Sequence, residues 1–323
     1  MFRLSIIIPM YNSEKYISDC LDSILHINLN KEDYEVIIVN DGSTDKSKDI
    51  VDTYIANNDN FKYIEQENLG AAYARNAGLK NSEGEYVWFV DADDKIDSSE
   101  FEKAIEELRS HKGIEVLAFY LKEVTEKGQF INVSCKHDSL PLYEEISGTD
   151  AIVKGYSPSS VCSMFVRLKM IKDNELFFRG GMTHEDVEFT YRMMAVAKSV
   201  VFTEHIPYLY IYHDNTVTTS INVERKTKYM CDELLVYQSF IRLAEKYSDN
   251  AELCAVVRNR AHNVLFGLLL TLYLNRKQWK PLGINNNVID KMTELGLYPV
   301  SLKPYNWKKR IILLFLNLRS VMC

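Results

Sequence analysis

Between Leu4 and Leu121, short β-prone runs alternate with segments of helical length, and this rhythm constrains the fold more than any other property of the chain. Leu4–Ile8 reads as a buried strand ended by Pro9, followed by strands over Tyr34–Asn40, Phe61–Glu65, Tyr86–Val90 and Ile114–Leu121. Between them, helices are expected over Ser13–Leu25, from the Asp41–Asp45 turn through Ile55, over Leu69–Asn81 and over Ser98–Ser110. Strands punctuated by helices of this length form βαβ units on a mostly parallel sheet, so an α/β fold is expected. After about Glu123 the alternation stops. Ser160–Val166 and Val200–Tyr212 read as strands, Met182–Ala197 as a helix, and Glu224–Leu274 shows helical spacing. A catalytic domain over 1–222, with halves at 1–122 and 123–222, and a helical region over 223–323 are therefore expected.

In an open α/β sheet, ligands gather beyond the C-terminal ends of the strands. Four such ends here carry polar signatures. Pro9-Met10-Tyr11-Asn12 offers a rigid turn with an aromatic face and an amide, and Asn40-Asp41-Gly42-Ser43 a carboxylate on a turn. Asn68-Leu69-Gly70 begins a helix of small residues that carries Arg75. The fourth end is Asp91-Ala92-Asp93-Asp94, where an apolar strand empties into three carboxylates. Such a cluster suits Mg²⁺ or Mn²⁺ bound together with a substrate phosphate. It equally suits a turn capping the next helix, with Asp97, Ser98 and Ser99 as candidate caps. Taken one at a time, each signature has an ordinary structural explanation. Their placement after successive strands favours a nucleotide site.

Several classes are set aside. The formal net charge of −7 provides no basic field for nucleic acid. The first strand–helix turn lacks G-x-G-x-x-G, and no P-loop occurs. Six cysteines without a C-x-x-C pair fit reduced thiols. The first residues do not resemble a signal peptide, and Val264–Leu274 and Ile311–Leu316 are too short to span a bilayer, so a cytoplasmic location is expected.

The set Ser5-Ile6-Ile7-Ile8-Pro9-Met10-Tyr11-Asn12, Val39-Asn40-Asp41-Gly42-Ser43-Thr44-Asp45, Asn68-Leu69-Gly70 with Ala74-Arg75-Asn76-Ala77-Gly78, and Phe89-Val90-Asp91-Ala92-Asp93-Asp94 resembles the family-2 inverting glycosyltransferases. The resemblance covers about the first hundred residues. It implies the Rossmann-like A-type glycosyltransferase (GT-A) fold, a nucleotide-sugar donor (most often a UDP-sugar) and a divalent metal. By matching position, Pro9, Tyr11 and Asp41 would hold the base, with Asn12 beside them and Arg75 supporting the pocket. Asp91 would meet the ribose or donor sugar, and Asp93 the metal. Met182-Thr183-His184-Glu185-Asp186 resembles the family's Glu-Asp motif, which implies Asp186 as catalytic base, with Glu185 positioning the acceptor or that Asp. Acidic residues at a helix start also suit the macrodipole. Tyr210 to Thr218 resembles the segment that closes over the diphosphate, with His213, where many members carry Arg, as a metal or phosphate ligand. The implied reaction moves a hexosyl or N-acetylhexosaminyl group to a glycan or polyprenyl-linked acceptor in surface polysaccharide assembly. The rivals are a sugar-1-phosphate nucleotidylyltransferase and a non-catalytic paralogue.

From Lys303 to Arg319, five basic residues and no acid accompany an apolar run led by Trp307. Such a helix suits an anionic membrane surface, or packing on protein, with equal weight.

Overall fold

A computed structural model describes residues 3–158, 160–213 and 222–322. The chain divides into two compact units: residues 1–181 with 185–213, and residues 182–184 with 214–323.

The first unit is built on an eight-stranded sheet. In chain order its strands are β1 (Leu4–Met10), β2 (Tyr34–Asn40), β3 (Phe61–Glu65), β4 (Tyr86–Phe89), β6 (Val116–Ala118), β9 (Glu145–Ile146), β10 (Met164–Arg167) and β11 (Val200–Phe202). Their spatial order is β3-β2-β1-β4-β10-β6-β11-β9. A second sheet, ordered β5-β12-β7-β8, contains β5 (Lys95–Ile96), β7 (Leu121–Thr125), β8 (Phe130–Ser134) and β12 (Tyr208–Tyr212). β3, β2, β1 and β4 run parallel, whereas β10 is antiparallel to both of its neighbours. The parallel half is the expected βαβ arrangement, and the other half is mixed. Pro9 sits in β1 beyond the last β1–β4 pair, Ile7 with Phe89, where its missing N–H breaks no ladder bond.

Two expected strands turn out to be divided. Ile114–Leu121 splits into β6 and β7, and Val200–Tyr212 into β11 and β12, each pair lying in different sheets. The first run stays apolar across its crossing at Phe119-Tyr120, so its composition does not reveal where the chain leaves one sheet for the other, whereas Thr203-Glu204-His205 and Pro207 mark the break in the second. Ser160–Val166 is a short 3₁₀ turn, Val161–Ser163, that leads into β10. The first helix spans Ile17–Leu25 rather than starting at Ser13, whose carbonyl closes the preceding turn with the N–H groups of Tyr16 and Ile17. Of the candidate caps after the carboxylate cluster, Asp97 is the one used. Its Oδ1 accepts from the Ser99 and Glu100 N–H groups at 3.1 Å each.

Trp88 lies at the centre of the core, 5.6 Å from Phe101 in a stacked pair and 5.0 Å from Phe165 edge-on, and donates Nε1–H to the Cys162 carbonyl. Such aromatic pairs contribute about 0.5–1.5 kcal/mol each beyond the area they bury. The helix Ala71–Lys80 packs tightly on β1. A Cβ on Gly78 would come within 2.3 Å of Ile7 Cγ2, in a fully buried, β-branched side chain with no room to turn. Gly78→Ala is therefore expected to destabilise the fold by about 1–3 kcal/mol, seen as a lower urea midpoint at unchanged slope.

The second unit is helical. Val223–Lys246 and Ala251–Leu274 pair as one long hairpin, and Ile284–Glu294, Trp307–Leu316 and Arg319–Met322 complete a core around Leu234, Leu269, Val288, Met292 and Leu313. No helix among the described residues is long and apolar enough to cross a membrane.

Candidate active site

The C-terminal ends of β1, β2 and β4 place the expected residues on one edge of the sheet. Tyr11, just past β1, leaves 48% of its surface exposed, so its ring is available to a ligand. Asn12 adopts a left-handed backbone (φ 49°), and its side chain is committed to the neighbouring loop: Oδ1 accepts the Thr44 N–H at 2.8 Å. Asp41 is buried and engaged. Its Oδ1 accepts from Gln66 Nε2 (2.7 Å) and the Leu69 N–H (2.9 Å), and its Oδ2 accepts from the Gly70 N–H (2.7 Å). This carboxylate thus fixes the loop that starts the Arg75 helix. The turn also needs glycine at 42, where φ is +72° and a Cβ would lie 2.9 Å from the Asn68 nitrogen.

Arg75 is buried and bridges two carboxylates that lie far apart in sequence. Nη2 donates to Asp91 Oδ1 at 2.8 Å and Nη1 to Glu185 Oε1 at 2.7 Å. Burial works against the guanidinium charge, but Asp91 and Glu185 more than offset it and hold the group protonated far above neutrality. Beneath it lies Phe178, 5.5 Å from the guanidinium carbon, which stacks on Phe189 at 3.9 Å and 8°. Phe189 belongs to the helix Glu185–Val196, so this stack fixes the start of that helix beside Arg75. Arg75 thereby ties the strand-end carboxylate to the Glu-Asp pair.

Asp186 sits in the first turn of that helix, half-buried, with Oδ1 accepting the Val187 N–H at 2.7 Å. Burial first and the neighbouring Glu185 charge second push its carboxyl up to about 6, against the opposing pull of Arg75. A carboxylate held near that value is a competent proton acceptor at neutral pH.

Asp93 is half-buried, and burial together with the Asp91 charge raises its carboxyl. No Lys, Arg or His side chain among the described residues forms an ion pair with it. His213, at the end of β12, meets oxygen at both ring nitrogens: Glu126 Oε1 at 2.7 Å from Nδ1 and the Asp93 carbonyl at 3.1 Å from Nε2. A ligand role for His213 would require it to give up one of these. Its ring lies against Tyr16 at 4.1 Å. A cavity of about 340 Å³ opens here, lined by Asp93, His213, Tyr16, Lys95 and Glu126. A wider hollow of about 710 Å³ lies at the opposite strand ends, where Arg3, Glu83, Glu85 and Arg167 form ion pairs. It contains none of the expected site residues. Of the segment resembling the diphosphate closure, Asp214 to Thr218 lie outside the described residues.

For some members of the site the sequence assigned no role. Asp94 is buried and accepts from Tyr208 Oη (2.6 Å) and the Ile211 N–H (2.7 Å), clamping β12 to the cluster. Tyr208 Oη also accepts from the Asp91 N–H at 3.2 Å. The cluster is therefore divided: Asp94 is structural, Asp91 is ion-paired, and Asp93 is open. Glu126 was equally invisible, because its partner lies 87 residues further on. His184 has a local structural role in the second unit, with its ring against Tyr229 at 4.5 Å and Nε2 3.2 Å from the Tyr229 carbonyl.

The Glycosyl transferase family 2 model matches residues 5–157. Glycosyltransferase YibD of Escherichia coli is 30% identical over 256 residues, covering 77% of this chain and 72% of that protein. EpsH of Bacillus subtilis, named as a glycosyltransferase, is 31% identical over 220 residues, covering 66% of this chain and 62% of that one. The match thus spans less than two thirds of EpsH. The crystal structure of Staphylococcus aureus TarS 1–349 in complex with UDP-GlcNAc superposes with a TM-score of 0.67 at 21% identity, covering 99% of this chain and 88% of that one. That likeness establishes the GT-A fold. Together with the YibD match over most of both chains, it places this protein in glycosyl transferase family 2.

Proposed function

We propose that this chain transfers a hexosyl or N-acetylhexosaminyl group from a UDP-sugar to a hydroxyl of a glycan or polyprenyl-linked acceptor. The transfer inverts the anomeric carbon and serves surface polysaccharide assembly on the cytoplasmic side of the membrane. The observation that carries the reading is Asp186, a half-buried carboxyl pushed up to about 6, joined through Glu185 and Arg75 to Asp91 at the strand ends. The acceptor hydroxyl passes its proton to Asp186 as its oxygen attacks C1 from the face opposite the diphosphate. The new C1–O bond forms as the C1–O bond to UDP breaks, and UDP departs with the bonding pair. Glu185, held by Arg75, keeps negative charge beside Asp186 and so keeps its proton affinity high. Pro9 and the exposed Tyr11 ring offer a surface for the base. Asp41 and Asn12 act by holding the loops around it, and Asp91 faces the ribose or donor sugar.

A divalent metal, Mn²⁺ or Mg²⁺, fits the donor set in kind. Asp93 supplies a hard, negatively charged oxygen with no cation among the described residues paired to it, in a neighbourhood that already raises its carboxyl. No group of three His, Cys, Asp or Glu side chains among the described residues could hold a metal by itself. When bound, the metal would offset charge on the leaving diphosphate. His213 braces the Asp93 backbone in this reading and could ligate only by giving up that contact or the one to Glu126.

The test is UDP release from a panel of UDP-sugars with Mn²⁺. Asp93→Asn is expected to lose about 100-fold or more of the metal-stimulated rate, since a metal of this kind supplies several kcal/mol to the transition state. Full turnover of this variant in the presence of EDTA would remove the metal from the proposal.

A further inference from the structure

The helix Trp307–Leu316 of the second unit is apolar on two opposite faces, and only one of them is used by the protein. Leu313 and Leu316 are buried in the unit's core. The helix is fastened at both ends. The Asn306 side chain accepts the Lys309 N–H at 3.0 Å, and Lys309 Nζ reaches Asn263 Oδ1 at 2.6 Å. Asn317 exchanges two 2.8 Å bonds with the Val300 backbone. Its orientation is therefore set, and the face turned outward is a fixed property of the fold.

At about 100° per residue, Trp307, Ile311, Leu314, Phe315 and Leu318 fall within one stripe about 100° wide, opposite Leu313 and Leu316. All five are exposed, Trp307 at 67% and Phe315 at 60%. Singly exposed apolar side chains are ordinary, but five on one stripe form a contiguous patch. On the same wheel Lys308 borders one side of the stripe and Arg310 the other. The segment from Lys303 to Arg319 carries five basic residues and no acid in a chain whose net charge is −7.

We propose that this stripe docks on the surface of an anionic lipid bilayer, with Trp307 and Phe315 at the headgroup boundary and Lys308 and Lys303 against lipid phosphates. An apolar stripe with cations on both borders matches a surface that is greasy within and negative outside. A second copy of the chain is a poorer occupant. Pairing two such stripes face to face brings the basic borders of one copy against those of the other. The docking concerns the second unit alone and stands apart from the sugar-transfer reading, because vesicle binding requires no turnover.

The experiment measures co-sedimentation of the full chain with vesicles of phosphatidylglycerol and phosphatidylcholine, against vesicles of phosphatidylcholine alone. The wild type is expected to bind the anionic vesicles selectively. Trp307→Ser with Phe315→Ser should weaken that binding roughly tenfold or more. Lys303→Glu with Lys308→Glu should weaken it severalfold, and added salt should weaken the wild type likewise. All these side chains point outward, so melting temperatures should stay unchanged, which separates lost docking from lost folding. Absent binding by the wild type, or equal binding by the Trp307→Ser, Phe315→Ser variant, would overturn the proposal. So would a solution dimer that this variant dissolves, since a second copy would then own the stripe.

Discussion

Asp186→Asn is expected to lower kcat for transfer to the acceptor by about 10²- to 10⁴-fold, the usual contribution of a positioned general base, while leaving donor binding largely intact. The wild-type rate should rise with pH along a limb centred near 6, as the carboxyl loses its proton. The variant should lack that limb. A second readout concerns stability and has the opposite sign. The folded carboxyl titrates near 6, whereas an unfolded Asp titrates near about 3.9. Between these values the folded chain holds the extra proton, so stability falls as pH rises from about 4 to about 6, and the deficit persists above. Removing the charge should therefore raise the melting temperature at pH 8, by an amount worth at most about 3 kcal/mol, and leave it unchanged below about pH 4. Unchanged turnover with the acceptor would sink the base assignment. A lower melting temperature at pH 8 would show that the carboxylate stabilises the fold rather than straining it.

Arg75→Met should have the largest effect on the fold itself. It leaves Asp91 and Glu185 facing each other across an apolar side chain, and breaking a buried ion pair on one side costs about 3–5 kcal/mol. Asp91 remains a third exposed, so water relieves part of this and the lower end of that range is expected. The pH profile carries the diagnostic. Arg75 pulls the Asp186 carboxyl down, so its removal should move the acid limb to higher pH. Arg75→Lys keeps the charge but reaches only one carboxylate, and should restore most of the limb's position with less of the stability. A variant that loses stability with its acid limb unmoved would make Arg75 purely structural.

The strand-end motifs were legible because each is local. Tyr34–Asn40 and Phe61–Glu65 are strands at the expected residues, and Ser98–Ser110 is a helix with Asp97 as its cap. A β-branched run between turn residues, or an Asp before a helix, announces itself within a few positions. The sheet crossing after Ala118 did not, because Phe119-Tyr120-Leu121 stays apolar across the change of sheet, whereas the crossing after Phe202 is marked by Thr203-Glu204-His205 and Pro207. The division of labour in the carboxylate cluster was equally hidden. Three aspartates within four positions look alike until their partners are known.

By itself, the sequence determined the βαβ order, the strand ends that carry chemistry and the apolar-basic helix near residue 310. These follow from periodicity and from which residue types tolerate a strand, a turn or a helix start. Tertiary structure alone decided what each polar group does. It set Arg75 between Asp91 and Glu185, closed Asp94 under Tyr208, spent both nitrogens of His213 and left the Asp93 carboxylate without a cation partner among the described residues. The physical reason is distance along the chain. Glu185 lies 110 residues from Arg75 and Tyr208 lies 114 from Asp94, and a charge's role is set by what folding brings within about 3 Å of it.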